Sequence, residues 1–123
     1  MAKEILLIDD EVDIAQITRA RLEHAGYKVT VLNSPKEAMD TIKKMRPDLI
    51  LLDIMMPYKD GYQICDEVRS DDSIKHIPII VFTAKSIEKD FIHEVHGFYG
   101  ANDYVLKPFD ADELLSKIKK YIS

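Results

Sequence analysis

Short apolar runs alternate along the chain with segments whose apolar residues recur at helical spacing. Ile5-Leu6-Leu7-Ile8, Leu49-Ile50-Leu51-Leu52 and Ile79-Ile80-Val81-Phe82 are continuous. Val29-Thr30-Val31-Leu32 is partly alternating, and Tyr104-Val105-Leu106 is shorter still. Branched apolar runs of this length suit strands covered on both faces, as inside a parallel sheet. After Asp10, the positions Ile14, Ile17, Leu22 and Ala25 predict one buried stripe of a helix that Gly26 stops. Ser34-Pro35-Lys36-Glu37 is a helix start: Ser caps, Pro fits the first turn, and Glu stands at the reciprocal capping position. That helix places Ala38, Met39, Ile42 and Met45 inward and ends near Arg46, ahead of Pro47. A third begins near Gly61, with Tyr62, Ile64, Cys65 and Val68 inward. Ser86 caps a fourth, and Asp110 a last one with Leu114, Leu115, Ile118 and Ile122 inward.

Alternating strands and helices predict an α/β fold: a doubly wound, five-stranded parallel sheet with helices on both faces. The 123-residue length suits one compact domain. Hydrophobic residues at 46% and charged residues at 32% exclude a disordered or fibrous chain. A net charge of -5, with no Lys/Arg block longer than a doublet, argues against direct nucleic-acid or anionic-membrane binding. The single cysteine, Cys65, rules out an internal disulfide and a cysteine-built zinc site. Only four apolar residues follow Glu4 before Asp9, too few for a signal peptide or a membrane span, so the chain is expected to be cytoplasmic.

Ligands of such sheets bind beyond the carboxyl ends of the strands, where the strand order reverses. Those ends carry polar residues: Asp9-Asp10-Glu11, Asp53, Thr83 and Lys107. With strand order 2-1-3-4-5, Asp9, Asp10 and Asp53 share one crevice, with Thr83 and Lys107 beside it. Each alone has a plain structural explanation, since an Asp after a strand is commonly a cap or turn former. Their coincidence at the same end of different strands points to a site. Clustered carboxylates repel unless one is protonated or a cation binds, and oxygen-only ligands favour a hard ion such as Mg²⁺. Lys107 and Thr83 would then await an anion.

These residues resemble the receiver domain of two-component response regulators. The carrying motifs are Leu6-Leu7-Ile8-Asp9-Asp10-Glu11, Asp48 to Pro57, Asp60-Gly61, Phe82-Thr83-Ala84-Lys85 and Gly100 to Phe109. The resemblance implies a flavodoxin-like (CheY-like) three-layer sandwich and a single receiver domain over residues 1–123. It implies that Asp53 accepts a phosphoryl group from a sensor histidine kinase or phosphotransfer protein. Asp10, Asp53 and the Met55 carbonyl match direct Mg²⁺ ligands, and Asp9 matches one acting through water. Lys107 resembles the lysine that pairs with the phosphoryl oxygens, Thr83 the hydroxyl that bonds them, and Tyr104 the aromatic that turns inward when Thr83 moves. A fourth-helix, fifth-strand, fifth-helix face would signal to a downstream protein target, and phosphorylation-dependent homodimerisation is compatible with this pattern. Catalysis is limited to slow self-phosphotransfer and autodephosphorylation, so the chain is not expected to be a dedicated enzyme.

The alternative is a Mg²⁺-dependent phosphatase with an Asp nucleophile. It would want a second Asp two residues after Asp53, where Met55 stands. A flavin or nucleotide carrier would want a phosphate-cradling loop where Asp9-Asp10-Glu11 would repel phosphate. In the family it resembles, the position two residues after the phosphoacceptor flanks the route of attacking water; an apolar Met55 there cannot orient water, so the resemblance implies a long-lived phosphoryl group. The stretch His93 to Gly100 adds length compared with the family pattern. His93, His96, His24 and His76 read as ordinary exposed residues, Cys65 as half-buried, and Lys117, Lys119 and Lys120 as a solvated face.

Overall fold

A computed structural model describes residues 2–54, 56, 61–84, 100–107 and 109–122, with Thr83 and Ala84 described by backbone alone. Among these, the apolar runs form β1 (Glu4–Ile8), β2 (Lys28–Leu32), β3 (Leu49–Asp53), β4 (Ile79–Ala84) and β5 (Asp103–Lys107). They make one sheet in the order β2-β1-β3-β4-β5, and every neighbouring pair is parallel. The helices are α1 (Val12–His24), α2 (Ala38–Met45, after a tight turn at Pro35–Glu37), α3 (Gly61–Arg69) and α4 (Ala111–Tyr121). The helix predicted from Ser86, with His93 and His96, lies outside the described residues.

Alternation along the strands divides the core. Leu6, Ile8, Ile50, Leu52, Ile79 and Val81 pack with Ala38 and Ile42 of α2 and Ile64, Cys65 and Val68 of α3. Ile5, Leu7, Leu49, Leu51, Ile80, Phe82 and Val105 pack on the other face with Ala15 and Leu22 of α1 and Leu114 and Ile118 of α4. Each fully buried aliphatic side chain contributes about 1.5–3 kcal/mol, so both faces must be covered. Cys65 is fully buried rather than half-buried.

The predicted caps at Ser34 and Asp110 are present: their side chains accept from the N–H groups of Lys36 and Asp112. α2 ends at Arg46, which takes a left-handed conformation (φ 47°) just before Pro47. The α1 stripe differs from expectation. Ala15, Thr18 and Leu22 are buried, whereas Val12, Ile14, Ile17 and Ala25 face outward, Ile17 being 63% exposed. Small Ala15 lets the helix approach the sheet. The Thr18 hydroxyl donates to the Ile14 carbonyl at 2.9 Å, which satisfies it internally and makes it buriable.

Candidate functional site

The register brings the predicted acids together. Ile8 pairs with Leu52, so the residues that follow, Asp9 and Asp53, leave neighbouring strands at the same level. Both continue the side of the sheet that carries Leu7, Leu51 and Val105, and Lys107 falls on that side too, two residues after Val105. Asp9 is 1% and Asp53 5% exposed, while Asp10 is half-buried.

Local hydrogen bonds fix the strand ends. The Asp9 N–H donates to the Leu32 carbonyl at 3.0 Å, extending the ladder, and Asn33 Nδ2 donates to the Asp9 carbonyl at 3.0 Å. Asp9 Oδ1 accepts from the Glu11 N–H at 2.9 Å, turning the chain into α1, which leaves Oδ2 facing the crevice. Asp9 is therefore both turn former and site anion, one oxygen for each role. After Asp53, the Ile54 N–H donates to Phe82 and the Gly61 N–H to Ile54. A β-carbon on Gly61 would lie 2.8 Å from the Asp53 carbonyl oxygen, so only glycine lets α3 start against this strand end.

Asp9, Asp10 and Asp53 each offer a carboxylate oxygen, all within 4.8 Å of one another. Such a set, oxygen-only and excessively negative, suits Mg²⁺. Lys107 reaches into it: its Nζ lies 2.9 Å from Glu11 Oε1, 3.0 Å from Asp9 Oδ2 and 3.5 Å from Asp53 Oδ2. Burial alone would lower the Lys107 pKa. Hydrogen bonds to Glu11 and Asp9 and the charge of Asp53 outweigh it and raise the pKa above its ordinary value. The ammonium lies 5.7 Å from the centroid of Phe82, whose ring stacks on Phe109.

Other predicted residues stand as follows. The backbone of Thr83 pairs with Leu106, one residue before Lys107. Met55 and its carbonyl lie outside the described residues. Tyr104 is half-buried against the core on the α2/α3 side of the sheet, with Lys117 Nζ 4.8 Å from its ring centroid. Lys117 is not simply solvated: it donates to the Tyr104 carbonyl and lies 3.5 Å from buried Asp103. Lys119 and Lys120 are exposed as expected, as are His24 and His76. Glu11 and Gly61 stood in the motifs, but their contacts were not foreseen. The signal for Glu11 was a third consecutive acid at a strand end. Nothing in composition distinguishes Gly61 from a turn glycine.

The fold and this crevice define a doubly wound α/β protein whose acids gather at the reversal of strand order. The family model for the response regulator receiver domain matches residues 5–119, and the chain belongs to that family. Its structure is similar to that of the chemotaxis response regulator CheY4 of Vibrio cholerae: 30% identity, TM-score 0.89, covering 99% of this chain and 100% of that one. It is also similar to the receiver domain of a sensor histidine kinase from Pseudomonas aeruginosa PAO1, crystallised with a magnesium ion coordinated in its active-site cleft. Here identity is 33% and the TM-score 0.88, over 99% and 98% of the two chains. A signal receiver domain of a histidine kinase from Syntrophus aciditrophicus is 31% identical, with a TM-score of 0.89 over 98% and 90%. Among the described residues, no helix is long and apolar enough to cross a membrane.

Proposed function

We propose that the chain is a phosphorylation switch, a single receiver domain over residues 1–123 in which Asp53 accepts a phosphoryl group from the phosphohistidine of a sensor kinase or phosphotransfer protein. One observation carries the reading: three carboxylates from two adjacent strands converge within 4.8 Å, with the Lys107 ammonium 3.5 Å from Asp53. In the transfer, an Asp53 carboxylate oxygen bonds to phosphorus as the donor's P–N bond breaks and its electron pair stays on the imidazole. The product is an aspartyl phosphate. Asp10 and Asp53 would hold Mg²⁺ directly and Asp9 through water, with the Met55 carbonyl as a further ligand. When bound, the ion supplies positive charge and a template for in-line approach. Lys107 neutralises the incoming phosphoryl oxygens.

In the same reading the new acceptor oxygens draw the Thr83 hydroxyl, and Tyr104 follows. The change is thereby passed to the face of β5 and α4, and so to a downstream protein; the helix predicted from Ser86, expected to share that face, lies outside the described residues. Catalysis stays with the acceptor itself, as slow autophosphorylation and autodephosphorylation, in the cytoplasm. The phosphatase alternative is not favoured, because Met55 occupies the place of its second acid. The test is intact mass after incubation with acetyl phosphate and Mg²⁺. One phosphoryl adduct is expected on the native chain and none on Asp53→Asn. The adduct should decay slowly, and faster in Met55→Asn. An adduct retained in Asp53→Asn would overturn the assignment.

A further inference from the structure

The shortest contact of Lys107 is to neither cluster carboxylate facing it but to Glu11, at 2.9 Å. An ammonium has three donors. Here two reach Glu11 and Asp9 at good hydrogen-bonding distance, whereas Asp53 at 3.5 Å is beyond the range of a strong charge-assisted bond. Glu11 differs from the other two partners. Its side chain is 52% exposed against 1% and 7%, and it stands apart from the cluster of Asp9, Asp10 and Asp53. Its backbone is pinned on both sides: the N–H donates to Asp9 Oδ1, and the carbonyl accepts from Ala15. The side chain makes no capping bond to α1. It is a carboxylate on a fixed root with its free end committed to the lysine.

We infer that Glu11 is a positioning residue that draws the Lys107 ammonium toward the outer side of the crevice, so that it holds Asp9 but stays back from Asp53 and leaves that side of the three-carboxylate cluster open to a divalent cation. The inference rests on the reading of the crevice as a Mg²⁺-dependent phosphoacceptor site. Without Glu11, the nearest remaining attractors of Lys107 are Asp9 Oδ2 and Asp53 Oδ2. The ammonium, already on Asp9, then closes on Asp53 as well and competes with the ion for both oxygens. With Glu11, the lysine keeps a carboxylate partner outside the cluster and remains within one side-chain rotation of whatever is bound to Asp53.

The test is a Mg²⁺ titration of the unphosphorylated chain, followed by amide NMR shifts, on four proteins: native, Glu11→Gln, Lys107→Met and the double variant. Glu11→Gln should weaken Mg²⁺ binding roughly fivefold, about 1 kcal/mol, when Lys107 is present. In the Lys107→Met background the same change should cost less than about twofold, the residue of a lost nearby charge. In the metal-free protein, the Lys107 Hε–Cε cross-peak should also shift in Glu11→Gln. An equal loss in both backgrounds would mean that Glu11 acts on the ion directly and would overturn the inference, as would an unmoved cross-peak or unchanged affinity. A native chain that binds no Mg²⁺ would instead bring down the functional reading beneath it.

Discussion

Two half-buried cations occupy opposite ends of β5, and their partners could hardly differ more. Lys107, at the carboxyl end, faces three carboxylates. Arg69, the last residue of α3, faces the amino end. Its guanidinium donates to the carbonyls of Gly100 (2.8 Å), Lys75 (2.9 Å) and Ile77 (2.8 Å), and to Asn102 Oδ1 (2.7 Å). All four acceptors are neutral, and burial pulls the Arg69 pKa below its ordinary range. The planar fork satisfies two chain segments at once, 75–77 and 100–102, and Gly100 makes room for it: a β-carbon there would lie 2.7 Å from Arg69 Cγ. One cation is structural cement, matched to dipoles. The other sits in an excess of negative charge that it cannot cancel, which is the signature of a site waiting for more positive charge.

Mg²⁺ separates the two. Arg69→Met removes four charge-assisted bonds and strands carbonyls in the segments leading into β4 and β5. It should lower unfolding free energy by about 3 kcal/mol, in EDTA and in Mg²⁺ alike, measured by urea denaturation. Lys107→Met leaves the buried acids without their counter-charge. It should cost about 2 kcal/mol in EDTA, most of it recovered in saturating Mg²⁺, because an ion held by the proposed site would stabilise only the folded chain. Recovery in the arginine variant, or none in the lysine variant, would erase the distinction. The Lys107 contribution has a definite pH sense. Its folded pKa lies above the ordinary 10.5, so its stabilisation is complete below that value and is lost as pH rises through the folded pKa. Lys107→Met should therefore flatten the alkaline fall in stability.

The same contrast explains what could be read from the chain. Strand runs, their parallel order and the gathering of Asp9, Asp10, Asp53 and Lys107 were legible because apolar continuity sets the sheet and the topology sets where strand ends meet. The Arg69 clamp was not, since its partners are mostly backbone carbonyls and a carbonyl leaves no mark in the residue alphabet. The α1 stripe misled for a related reason. Hydropathy favours Ile14 and Ile17, but close approach to the sheet favours Ala15 and a Thr18 whose hydroxyl is satisfied within the helix. Side-chain chemistry at a shared strand end is visible in one dimension; steric fit and backbone acceptors are not.

Asn102 gives the finest probe of the arginine end. The residue is exposed, yet its Oδ1 accepts from both Arg69 Nη2 at 2.7 Å and the Ile79 N–H at 2.8 Å, tying α3 and β4 to the start of β5. Asn102→Asp keeps an acceptor oxygen in the same place and turns the neutral contact into an ion pair. Against that gain stands the neighbouring Asp103, a buried acid that already relies on Lys117 and on the Tyr121 hydroxyl, 3.1 Å away. Exposure and this repulsion trim the benefit to about 0.5 kcal/mol of added stability. The increment should vanish in an Arg69→Met background, where the new carboxylate has lost its cationic partner and keeps the Ile79 N–H bond that asparagine already made, together with its repulsion with Asp103. A gain that survives without the arginine would mean that Asp103, Lys117 and Tyr121, rather than the guanidinium, set the charge balance at the entry to β5.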